Sequence, residues 1–250
     1  MIPQIIHFCW FGNQPYPSKI KKYIESWRKH LPHYEYKLWN EQTFEIDKCC
    51  QYVKDAYKEK KYAFVSDYVR LYALYNYGGI YLDTDIEIIK EIPTNILNHK
   101  LIFSLDEEGY IAGSFIESQK NNVFLHHMIN FYHKLSFYKI DGSLNLEVNN
   151  TYIQQEIINK GYNYEQINKL QVLNDDIILY PDDFFHCRSL TTGEINITTN
   201  SIAIHWHSIL WASNKTKIIN FLRINIIVPL IGSKLYTKLT NKIKNGKTTI

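Results

Sequence analysis

The 250-residue chain has little that would place it in a membrane, outside a cell or on nucleic acid. No stretch of about 18 or more uncharged apolar residues occurs, so no membrane span is expected. Met1-Ile2-Pro3-Gln4 lacks a basic segment and a long apolar run, so no signal peptide is expected. The four cysteines, Cys9, Cys49, Cys50 and Cys187, match no zinc spacing, and adjacent Cys49 and Cys50 make a poor disulfide framework. Reduced thiols and a cytoplasmic setting follow as expectations. The formal net charge is only +3, weaker than a dedicated nucleic-acid binder would carry. No internal repeat or low-complexity linker is evident. Acid is missing in one place: from Lys215 to Ile250 there are eight Lys and Arg and no Asp or Glu.

What remains is a globular composition, 45% apolar and 21% charged, enough for one sizeable core. Ile5–Trp10 reads as a buried first strand and Phe11-Gly12-Asn13 as a turn. Ser18 is the expected N-cap of a helix over Lys19–His30, with Ile20, Tyr23, Ile24 and Trp27 at helical spacing. Tyr34–Trp39 alternates as a second strand. Helices are expected over 52–60 and 63–76, the second stopped by Gly78-Gly79. Strands follow at 80–82, 101–105, 177–180 and 202–206, with helices at 124–135 and 152–159. The class is α/β, a single domain over 1–214 with a basic, partly amphipathic helical tail over 215–250.

Tyr77-Gly78-Gly79-Ile80-Tyr81-Leu82-Asp83-Thr84-Asp85 carries the most chemistry. It reads as a glycine turn, a buried strand and two carboxylates one residue apart, which strand alternation places on the same side. Two such carboxylates repel unless a cation sits between them, and a divalent cation can carry a phosphate. An EF-hand loop is excluded, because its sixth and twelfth positions would be Ile88 and Thr94 rather than Gly and Glu. An aspartyl-phosphate phosphatase using Asp83 stays open, although about eighty residues precede a motif that normally follows the first strand. Ser66-Asp67-x-x-Arg70 puts an acid and a guanidinium on one helical turn. They form either an ordinary ion pair or a donor-sugar and phosphate contact. In Ala203–Trp211, His205 and His207 would share a strand face and complete a mixed N and O site that suits manganese. His7 is read as structural.

Three ordered stretches, Ile2–Gly12, Ala63–Arg70 and Tyr77–Asp85, resemble the DXD glycosyltransferases of family 32. That family includes capsular-polysaccharide and initiating mannosyltransferases, and its core is similar to that of the clostridial glucosylating toxins. Tyr180–Phe185 and His205–Trp211 resemble its late segments more loosely. Trp206 stands where a second His is usual, and Leu210 where a Ser is usual. The resemblance implies a GT-A fold, a Rossmann-like mixed sheet flanked by helices, and retaining transfer from a nucleotide sugar. It implies Mn²⁺ or Mg²⁺ on Asp83 and Asp85 with His205 or His207, and Asp67 and Arg70 on the donor sugar. Phe8, Trp10, Phe11, Gly12, Ser66, Tyr81 and Trp211 would line the nucleotide and diphosphate. A UDP-linked hexose or N-acetylhexosamine is the expected donor, and a glycan or lipid-linked glycan of a capsule or other surface polysaccharide the acceptor. A non-catalytic sugar-binding protein is the alternative from a different class. For residues 215–250 two readings stand: a peripheral contact with the inner face of an anionic membrane, or a terminal helix packed on the domain. Pro229 is expected to kink or split that helix.

Overall fold

The computed structural model describes residues 1–174, 176–208 and 212–247. A seven-stranded mixed sheet, in the order β2-β1-β3-β6-β5-β8-β7, divides two apolar clusters. Its strands are β1 (Ile5–Cys9), β2 (Glu35–Trp39), β3 (Gly79–Leu82), β5 (Leu101–Leu105), β6 (Ile111–Ser118), β7 (Gln171–Leu173) and β8 (Ile177–Tyr180). A separate two-stranded sheet pairs β4 (Ile86–Ile88) with β9 (Ala203–His205). Helices α2 (Gln51–Lys58), α3 (Tyr62–Tyr77), α4 (Val123–Lys134) and α5 (Asn149–Asn159) cover one face of the large sheet. Helix α1 (Ser18–His30), the small sheet and the short α6 (Asp182–Phe185) cover the other.

Strand period decides which side chain enters which layer. In β3, Ile80 and Leu82 face the α1 side while Tyr81 faces α3. The chain runs from β1 through α1 to β2, then back through α2 and α3 to β3 on the opposite edge of β1. The two crossovers lie on opposite faces, so a crevice opens where the parallel β1 and β3 end. This is the position where open α/β sheets bind ligands.

The expected mixed α/β sheet flanked by helices is present, with three local corrections. Helix α1 starts at Ser18 itself, with Pro17 at the capping position and no side-chain cap, because Pro17 already presets the entry dihedral. Strand β3 ends at Leu82, so Asp83 and Asp85 lie in the turn before β4 and strand alternation does not align them. Pro229 does not split the tail helix. α7 (Asn214–Leu222) runs through a π-helical stretch, Arg223–Ile227, into α8 (Val228–Ile231). That widened turn lies just upstream of the proline ring, which thus avoids a break. The break comes at Gly232, whose φ of 82° ends the helix, and α9 (Ser233–Lys247) leaves at 113°.

Strand β6 lies in a region whose sequence gave no expectation of a strand. Its register against β5 jumps from Phe103–Ile116 to Ser104–Ala112, a bulge that takes Gly113, Ser114 and Phe115 out of that pairing. Gly113 and Ser114 thereby meet Arg70 and Asp83 through their carbonyls, while Phe115 stays in the core.

Candidate metal centre and donor site

The site begins with α3. Its apolar face packs against the sheet, which buries Asp67 and Arg70 with it. Arg70 Nη2 lies 2.9 Å from Asp67 Oδ1 and 3.4 Å from Asp83 Oδ1. Arg70 Nη1 donates to Gly113 O at 2.5 Å, and its guanidinium lies 4.7 Å from the Tyr81 ring centroid. The Tyr81 hydroxyl donates to Asp83 Oδ1 at 2.9 Å. Arg70 therefore holds two acids, and the bulge supplies the carbonyl that fixes it. Burial pushes the Asp67 carboxyl up to about 6; Arg70 pulls it down, Asp83 pushes it further up, and the Asn149 N–H pulls it down. An ion pair buried this deeply is held by geometry, since desolvation offsets much of its attraction.

Asp85 is reached from the other face. Its backbone carbonyl accepts from Trp206 N at 3.0 Å, and Oδ2 accepts from Ser208 N at 2.7 Å. His205 Nε2 lies 3.3 Å from Asp85 Oδ1. Burial opposes ionisation of Asp85, but His205 and the Ser208 N–H outweigh it and hold the carboxyl below its ordinary range. Asp83, Asp85 and His205 each offer a ligand atom, all within 4.8 Å of one another. Two carboxylates and an imidazole suit a hard to borderline divalent cation such as Mn²⁺ or Mg²⁺.

The other expected residues are distributed as follows. His207 lies past the end of β9 with φ of 51°, which removes it from the strand face it was expected to share. Its Nε2 faces Arg188 O at 3.2 Å and its ring lies 3.9 Å from His205, outside the three-ligand cluster. Phe8 packs edge-on against Trp27 and Phe11 against Phe44, both buried in the core. Trp10 is half-buried at the crevice rim, its Nε1 donating to Gln14 O and its ring 4.8 Å from Tyr16. Gly12 has φ of 97°, and a Cβ there would meet Tyr62 at 2.5 Å, so only glycine fits; its N–H donates to Glu41 Oε1. Ser66 Oγ bonds back to Tyr62 O at 3.0 Å. Tyr81 is buried and reaches the site only through Asp83 and Arg70. Trp211 lies outside the described residues. His7 is structural as expected: Trp39 Nε1 donates to Nδ1, and Nε2 faces Gly78 O at 2.8 Å.

Ser114, His186 and Asn149 border the site although nothing in the sequence singled them out. Ser114 Oγ lies 2.7 Å from His186 Nε2, and the Asn149 N–H donates to Asp67 Oδ2 at 3.3 Å. The one available signal was the histidine directly after Tyr180–Phe185.

The site thus combines paired carboxylates on a turn after a buried strand with a helix-borne Asp and Arg behind them. Residues 17–103, about a third of the chain, match the family described as the glycosyltransferase sugar-binding region containing DXD motif. An inositol phosphoceramide mannosyltransferase 3 of Schizosaccharomyces pombe is 35% identical over 88 residues, 34% of this chain and 24% of that protein. The matched segment thus spans about a quarter of that relative's length. Among solved structures, the PaToxG glycosyltransferase overlaps 63% of this chain and 70% of its own, with 19% identity and TM-score 0.45. A glycosyltransferase involved in glycosylation of the major capsid of PBCV-1 overlaps 86% of this chain and 97% of its own, with 8% identity and TM-score 0.47.

Proposed function

We propose that the chain is a metal-dependent retaining glycosyltransferase. It takes a hexose or N-acetylhexosamine from a nucleotide sugar, UDP-linked in our reading, to a glycan or lipid-linked glycan of a capsule or other surface polysaccharide. The observation that carries this is the convergence of Asp83, Asp85 and His205 within 4.8 Å in the crevice, with Arg70 directly behind. Asp83, Asp85 and His205 would hold Mn²⁺ or Mg²⁺, which as a Lewis acid offsets charge on the departing diphosphate. Arg70 fixes Asp83 and adds positive potential on the same side. Asp67, buried behind Arg70, orients it rather than serving as a nucleophile. With the acid so placed, the acceptor attacks from the leaving-group face. The phosphatase reading is disfavoured because the family match covers the motif and the helix that carries Asp67 and Arg70.

Screening UDP- and GDP-sugars for slow hydrolysis with Mn²⁺ identifies the donor without the acceptor. Asp85→Asn, or a chelator, is expected to reduce that hydrolysis by at least about a hundredfold. Wild-type turnover in either case would refute the site.

The tail supports a second proposal, peripheral contact with an anionic membrane on its cytoplasmic face. Among the described residues of α7–α9, Val228 alone is buried, whereas Ile218, Phe221, Leu230 and Leu235 are exposed beside Lys215, Lys217, Lys234 and Lys238. No single helix among the described residues is long and apolar enough to cross a membrane. Each basic residue near such a surface adds about 1 kcal/mol. In flotation assays the full chain is expected to rise with anionic vesicles and a chain ending at Ser213 to stay behind. Equal behaviour would reject the contact.

A further inference from the structure

The hydrogen bonds behind His205 run in one direction. His186 is buried, with Nδ1 2.9 Å from Leu105 O and Nε2 2.7 Å from Ser114 Oγ. A carbonyl oxygen only accepts, so the proton of His186 sits on Nδ1. Burial disfavours the imidazolium, so Nε2 carries a lone pair and Ser114 must donate to it. Ser114 has one hydroxyl proton, and this pairing uses it. Toward His205 Nδ1, 3.4 Å away, Ser114 can therefore offer only a lone pair. The proton of His205 is drawn to Nδ1. Its Nε2 lies 3.3 Å from an Asp85 oxygen that only accepts, and donates there; a cation held by Asp83 and Asp85 would replace that Nε2 proton, while the Nδ1 proton stays directed at Ser114.

We propose that Ser114 and His186 are positioning residues that hold His205 in its Nδ1–H tautomer and so make it a metal ligand. The inference rests on the metal-dependent reading above and adds the groups that prepare one ligand. The bulge in β6 gives it a structural origin. A regular β6 would keep Ser114 in register with β5, whereas here its hydroxyl reaches both imidazoles while its carbonyl accepts from Asp83 N at 2.8 Å. One looped-out residue thus supports a ligand on each side of the site.

The test pairs a spectroscopic signature with ion affinity. In Mg²⁺-loaded protein labelled with ¹⁵N-histidine, His205 is expected to show a protonated Nδ1 with a protected proton. Ser114→Ala is expected to lose that protection and to weaken Mn²⁺ binding by about 10–100-fold in calorimetry, and Ser114→Thr to recover it. If the loaded wild-type protein shows Nε2–H, or Ser114→Ala binds Mn²⁺ as the wild type does, the positioning role is wrong. The metal reading survives that result provided Asp85→Asn loses Mn²⁺. Wild-type protein that binds neither ion overturns both. The wild-type spectrum decides the tautomer even if Ser114→Ala fails to fold.

Discussion

Strand β6 carries two buried polar regions that solve burial in opposite ways. At its bulge, Gly113 O and Ser114 join a network in which Arg70 holds Asp67 and Asp83. At its other end, Glu117 is fully buried and neither carboxylate oxygen has a hydrogen-bond partner among the described residues. It is paired in register with Ile80 and Ile102, so it enters the apolar layer on the α1 side. Burial alone pushes its carboxyl up to about 8. With a guanidinium and N–H groups present, buried acids stay usable as charges. Without them the same environment keeps the proton on.

The largest expected effect breaks the first region. Arg70→Met leaves Asp67 and Asp83 facing each other without a cation, and is expected to cost about 3–5 kcal/mol in denaturant unfolding and to remove donor hydrolysis. A loss below about 1 kcal/mol would show that Arg70 is not what reconciles the two acids.

A smaller effect sharpens the second region. The folded pKa of Glu117 lies above its unfolded value of 4.5, so the folded state holds the extra proton between pH 4.5 and about 8. Its contribution is fully present below that window and is lost as pH rises through it. Glu117→Gln is expected to flatten this alkaline fall in thermal unfolding, by an amount on the order of a few kcal/mol at pH 9. A variant whose melting temperature follows the wild-type pH profile would show that Glu117 has a partner when folded.

The legible part of the site was local in sequence. Asp67 and Arg70 are one helical turn apart, and Asp83 and Asp85 one residue apart, so short spacing was enough to pair them. Their approach was foreseen by strand alternation but arises from a turn, because β3 stops at Leu82. His207 was misplaced for the same reason: β9 ends at His205, and a positive φ lays the His207 ring beside that of His205 rather than among the three ligands. Phe8 and Phe11 looked like pocket residues because they flank the end of β1, yet the core takes both. Aromatic residues at a strand end do not reveal which layer they enter.

By itself the sequence determined the βαβ opening, the glycine stop after α3 and the carboxylates at the end of a buried strand, because periodicity and turn chemistry act within a few residues. Only the tertiary structure decided which distant groups complete the site, taking His205 rather than His207 and adding Ser114 and His186. Ser114, His186 and His205 come from β6, the segment after α6 and β9, and Leu105 O meets His186 across 81 residues of chain. Sheet register and one bulge bring them together, and register depends on how whole strands pack rather than on any short stretch of residues.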